Sequence, residues 1–228
     1  MKRFYKDVSI GGANAILLDG RTLKTPRGAS LEPPTHALAE AIAEEWRAQG
    51  EEIGPQSMPF TKLANTAIDG VTPRREEVIA EIVAFAKHDH LCYRAESPPE
   101  LVRRQSEGWD PLLDWAAHRH SAPLRTADGV SSIAQPERSI TALRSAVEKF
   151  DPFALASLHL IASLCGSLVL ALAVADKRVT AEEAFALSQT DERFQAEKWG
   201  LDSEAEARAK RLERELVTAA RFMDLSRP

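Results

Sequence analysis

Cysteine is scarce in this sequence. Only Cys92 and Cys165 occur among 228 residues, far apart and outside any Cys-x-x-Cys or metal-ligand spacing. That excludes a disulfide scaffold and suits a reducing compartment, with both thiols expected as buried apolar filler. Neither sign of charge dominates: 29 Lys and Arg stand against 34 Asp and Glu, a net charge of -5. No broad positive field therefore exists to draw nucleic acid or an anionic membrane, and a protein or small molecule is the expected partner. Residues 1–7 (MKRFYKD) run straight into strand-like alternation, so neither an export signal nor an organelle presequence is expected. Nothing repeats at a fixed longer period, and no segment is low in complexity.

Motifs for chemistry are also missing. Gly11-Gly12 and Asp19-Gly20 lie near strands, but neither ends in the Gly-Lys-Ser/Thr that opens a helix under a phosphate. No Gly-x-Ser-x-Gly elbow supplies an acyl-transfer nucleophile. What remains are two His-x-His pairs, His88/His90 and His118/His120, with Asp89 and Cys92 beside the first. On a helix, residues i and i+2 point about 200° apart, so such a pair shares an ion only from a strand or an irregular segment. Both pairs fall at predicted helix C-termini, where the macrodipole favours histidine without a metal. A metal-dependent hydrolase using His88, Asp89 and His90 is the competing enzyme reading, with no supply of further ligands on neighbouring helices.

With 44% hydrophobic and 28% charged residues, the chain has the balance of a globular protein and length enough to bury a core. Alternation over 4–10, 15–18 and 21–25, with the Asp19-Gly20 turn between apolar runs, predicts a small β meander. Ala37, Leu38, Ala41, Ile42, Glu45 and Trp46 then follow the helical period, predicting a helix over 34–49 that covers one face of it. The Gly- and Pro-rich stretch 49–59 reads as the connection, placing a domain boundary near residue 60. Helical patterns follow over 60–69, 73–88, 98–118, 137–149, 153–175, 181–199 and 204–224. Capping boxes are expected at Thr180/Glu183 and Ser203/Glu206. Residues 122–133 have β character and could rejoin the meander. The expected fold is α+β: a small N-terminal meander with a covering helix in 1–60, then a larger orthogonal α-helical domain in 61–228.

The run 152–175 has no charged residue apart from His159 and is long enough to span a bilayer. Its Ala and Ser content and the four-residue recurrence of His159, Ser163 and Ser167 instead predict a central helix of a helical core, including 158–173. A membrane-anchored scaffold is the alternative. The most distinctive stretch is 191–204, DERFQAEKWGLDSE. Glu192, Gln195, Glu197 and Asp202 surround Phe194 and Trp199, and Gly200 can take the left-handed conformation that ends a helix. One reading is a capped amphipathic helix packed by both aromatics. The other is an acidic and aromatic contact surface for a protein partner.

Six stretches occur in one order: FYKDVSI, ILLDGRTLKTPRG, MPFTKLANTAID, HDHLCYRA, WDPLLDW and DERFQAEKWGLDSEA. Together they resemble the assembly chaperones of the F-type ATP synthase that act on its α subunit, over essentially the whole chain. The resemblance implies a small α/β part followed by a helical part, and binding without turnover. It implies a chaperone that shields the α subunit until the β subunit replaces it, working as a cytoplasmic bacterial monomer without cofactor, metal or membrane insertion. Within the late motif it places client binding on Glu192 first and Glu197 second, with Gln195 and Asp202 beside them. Trp46, Phe194, Trp199 and Gly200 are expected to be structural.

Overall fold

A computed structural model describes residues 1–129, 133–200 and 202–227. In chain order its elements are β1 (Val8–Ile10), β2 (Ile16–Leu18), β3 (Arg21–Thr22), α1 (His36–Arg47), α2 (Pro59–Asn65), α3 (Arg75–Lys87), β4 (Tyr93–Arg94), α4 (Pro99–His120), β5 (Ala127–Asp128), α5 (Glu137–Val147), α6 (Pro152–Cys165), α7 (Leu168–Ala175), α8 (Ala181–Ser188), α9 (Thr190–Trp199) and α10 (Ser203–Leu225). An antiparallel meander with a covering helix is thus followed by a helical part, the expected fold class. Two compact units emerge, one of 1–76 with 150–157 and 221–228, the other of 77–149 with 158–220. This grouping differs from a cut at residue 60, because α2 packs with α1 and two later segments rejoin the first unit.

In the first unit, β1 pairs antiparallel with β2 (Val8↔Leu18, Ile10↔Ile16), and β2 with β3 (Leu18↔Arg21). The turn is the one its residues demand: Asp19 and Gly20 both take positive φ, 48° and 76°, the requirement of a tight hairpin. The Asp19 carboxylate also accepts the Lys6 and Asp7 N–H groups at 3.0 and 2.8 Å, tying the entering strand to the turn. Helix α1 is capped by Thr35, whose hydroxyl accepts the Leu38 N–H. It buries Leu38, Ala39, Ile42, Ala43 and Trp46 against β1 and β2. The returning segments are held by apolar contact: Phe222 stacks on Phe153 and tilts against Phe60, each at 6.1 Å.

In the second unit, the apolar run is not one helix. It breaks between α6 and α7, where Gly166 takes φ 63° and the Ser167 hydroxyl accepts the Leu170 N–H at 3.0 Å. A glycine followed by a capping serine outweighs the hydropathy that runs through both. All eight residues of α7 are buried, and no described helix is long and apolar enough to cross a membrane. The helix expected over 181–199 is likewise two, α8 and α9, meeting at Gln189 with φ -106° and ψ 20°. The capping box at Thr180 and Glu183 is present in both directions, at 3.1 and 2.8 Å. The second expected box is displaced: Ser203 is already the first residue of α10, which puts Asp202 before the helix. On α10, Leu216, Ala219 and Met223 are buried while Ala205 is exposed. The strand within 122–133 exists as β5, but it pairs in parallel with β4 (Tyr93↔Ala127) rather than with the meander; residues 130–132 of that expectation lie outside the described residues.

Both cysteines are buried and unbridged, and burial pushes each thiol up to about 12. At neutral pH they are inert thiols. Alkylation of the native protein is accordingly expected to be slow at both, with full reaction only after unfolding, which mass spectrometry reads directly.

Candidate partner-binding surface

The late motif sits on α9, which its residues fix to the second unit through one ring and three polar ties. Phe194 is 4% exposed. Gln105 of α4, almost fully buried, donates to Asp191 at 2.7 Å and accepts the Ala95 N–H at 2.8 Å. Arg104, one residue earlier, grips Glu197 with both terminal nitrogens, at 2.9 and 2.8 Å, and Glu100 at 3.0 Å. Lys198 closes the chain of charges onto Glu100 at 3.2 Å. The Arg104 and Lys198 cations each lie 5.3 Å from the Phe194 ring centre, within cation–π range.

These bonds tune the carboxylates. The Glu197 carboxyl is held below its ordinary range chiefly by the Arg104 hydrogen bonds, and that of Glu100 by Lys198 first and Arg104 second. All four charged groups are open to water, so the network positions side chains more than it stabilises the fold. Arg104→Ala is expected to leave the unfolding midpoint close to that of the parent while raising the Glu197 pKa, which a carboxylate NMR titration reads.

Around this scaffold the sequence-predicted residues separate. Glu192 and Gln195 are exposed on α9, and Asp202 is exposed just before α10, in a cleft that also holds Arg208 and Arg211. Glu197 is exposed but already committed to Arg104. Phe194 is the packed ring that was expected. Trp199 is not: it is 80% exposed, and so cannot hold the helix by burial. Gly200 ends α9 with φ 87° and ψ 156°, an extended conformation of positive φ rather than a left-handed helical one. Trp46 lies in the other unit, buried, with its Nε1 donating to the Thr61 hydroxyl at 3.1 Å. Sequence reading missed Glu100, Arg104 and Gln105, and nothing local to them announces a bond to residues 86 to 98 positions away.

The histidine segment is built differently from a metal site. The Asp89 carboxylate is wholly buried and accepts two backbone N–H groups, Leu91 at 3.1 Å and Val169 at 3.0 Å. The second caps the start of α7. His88 is exposed with its Nδ1 3.3 Å from the Tyr93 hydroxyl, and the His90 ring lies edge-on to Trp109 at 5.0 Å. Among the described residues no group of three or more His, Cys, Asp or Glu comes together to hold a metal ion.

Known proteins match this arrangement closely. Residues 2–117 match the family described as ATP12 chaperone protein. The crystal structure of Atp12 from Paracoccus denitrificans superimposes with a TM-score of 0.95 at 47% identity, covering 99% of this chain and 98% of that one, as does its D202K mutant. The Atu1473 protein of Agrobacterium tumefaciens gives a TM-score of 0.92 at 43% identity, over 97% of this chain and 84% of that one. The mitochondrial protein atp12 of Schizosaccharomyces pombe is 28% identical over 214 residues, 87% of this chain and 74% of the relative. Matched through more than half its length by the family and through nearly all of it by solved members, this chain belongs to the ATP12 chaperones, which assemble the F-type ATP synthase.

Proposed function

We propose that the chain binds the free α subunit of the F-type ATP synthase and covers the surface that later meets the β subunit, releasing it when that partner arrives. It acts by binding alone, as a monomer in the bacterial cytoplasm, with no cofactor and no catalysed reaction. The physical need is plain, since a subunit of an obligate ring exposes a large apolar interface that aggregates unless covered. One observation on this chain supports the reading above others: Trp199, 80% exposed, stands at the end of an acidic helix whose own packing it does not serve. A large exposed aromatic at the end of a helix that also carries exposed carboxylates has the composition of an interface anchor. The contact residues proposed are Glu192, Gln195 and Asp202 with Trp199, and Glu197 through its Arg104 pair.

The test pairs folding with protection. Glu192→Lys and Trp199→Ser are each expected to change unfolding by no more than about 0.5 kcal/mol, because both side chains are solvated. Each should lower the capacity to keep isolated α subunit from scattering light by about tenfold. Variants that fold normally and protect the α subunit as well as the parent would remove this surface from the mechanism. If the parent itself fails to protect it, the choice of client is wrong.

A further inference from the structure

We infer that the meander carries a second protein-docking surface, one that receives an acidic segment bearing an apolar side chain. The first sign is a charge asymmetry. Residues 1–30 hold six Lys and Arg against two Asp and Glu, whereas the rest of the chain holds 23 against 32. A positively charged meander on an otherwise acidic protein is what a negative partner would find by electrostatic steering.

The second sign is an aromatic fixed in the open. Phe4 is 62% exposed, and its neighbours leave it no inward position. On one side the Arg3 N–H donates to Glu51 O at 2.8 Å and the Arg3 guanidinium to Gln49 O at 2.6 Å. On the other, Tyr5 is buried and its hydroxyl donates to Trp46 O at 2.6 Å. A scattered exposed apolar residue is ordinary, but one whose neighbours are anchored on both sides, by the Arg3 backbone and the Tyr5 side chain, is pre-organised and loses little entropy on binding.

The third sign is the cleft beside it, of about 570 Å³, lined by Phe4, Leu18, Asp19, Arg21, Leu23 and Lys24 among others. Its lining mixes apolar side chains with the cations Arg21 and Lys24. Arg21 and Lys24 are exposed and make no ion pair among the described residues, Lys24 having only the Ser30 hydroxyl at 2.8 Å. The one carboxylate present, Asp19, is already engaged by the Lys6 and Asp7 N–H groups, which hold its pKa below the usual range. An acidic segment would therefore meet two cations outside any described ion pair, of which Arg21 also lies in the field of Asp19, with Phe4 and Leu23 to cover an apolar side chain.

A fluorescein-labelled peptide alternating Glu with Leu and Phe, titrated with the full chain and followed by anisotropy, tests this. Binding is expected to weaken steeply with added salt, and to fall about tenfold for the double variant Arg21→Gln/Lys24→Gln and about tenfold for Phe4→Ser. Thermal unfolding confirms that each variant is folded, and Phe4→Leu, which keeps an apolar side chain, should retain most of the affinity. Glu192→Lys should bind the peptide as the parent does, which separates this surface from α9. No binding, equal binding by all variants, or tighter binding of a single-stranded oligonucleotide than of the acidic peptide would each overturn the inference.

Discussion

Replacing Asp89 with Ala is expected to lower the free energy of unfolding by about 4 kcal/mol, because two buried backbone donors lose their acceptor at about 1–3 kcal/mol each. The residue is fully buried, and it links the turn after α3 to the first turn of α7, through Leu91 and Val169. The Ser167 side chain bonds to it as well. Asp89→Asn should cost about half as much, since one oxygen remains while the amide faces a donor. Burial raises the Asp89 carboxyl above its ordinary value, and the hydrogen bonds from Val169, Ser167 and Leu91 only partly offset it. The native state therefore holds this proton more tightly than the unfolded chain. Its contribution to stability is fully present below the unfolded pKa and is lost as pH rises through the native one, so the Asn variant should show a flatter acid-side dependence. Urea unfolding of the three proteins at several pH values checks all of this. A loss below about 1 kcal/mol for Asp89→Ala would mean that the caps are satisfied some other way.

What the sequence could convey was set by how local each cause is. The Asp19-Gly20 turn and the Thr180/Glu183 box depend on two to four adjacent residues, and both are formed as read. The division of 152–175 was misread because hydropathy averages over a break that only Gly166 and Ser167 mark. The placement of Trp199 could have been caught. It is five residues after Phe194, about 140° around a helix of 3.6 residues per turn, so the two rings do not share a face. Asp89 was legible only as one half of a histidine dipeptide, since the N–H it caps lies 80 positions later. The bidentate grip of Arg104 on Glu197, across 93 positions, is of the same kind. Such contacts follow from the fold and cannot precede it.

Trp46→Ala is expected to cost about 3–5 kcal/mol, the usual range for deleting a buried large aromatic side chain. The loss should exceed that of any change at the exposed positions of α9. Trp46 is 8% exposed and packs edge-on against Tyr5, with ring centres 5.5 Å apart. Its Nε1 donates to the Thr61 hydroxyl at 3.1 Å, and that hydroxyl in turn donates to Glu45 at 2.7 Å. Glu45 also accepts the Phe60 and Thr61 N–H groups at 2.6 and 2.8 Å. The Glu-Trp pair at the end of α1 thus caps the start of α2 from outside it, in place of a local capping residue: Met58 precedes α2 and offers no side-chain acceptor. Trp46→Phe keeps most of the apolar area and loses the indole donor, for about 1–2 kcal/mol. A double-mutant cycle with Thr61→Val should show coupling of about 1 kcal/mol, as expected for residues sharing one network. If the proposed function holds, the readout that separates this role from client contact is protection of α subunit per folded molecule. Trp46→Ala should reduce the yield of folded chaperone and leave the activity of the folded fraction near that of the parent. Lower protection by a correctly folded Trp46→Phe protein would place this site in the client interface.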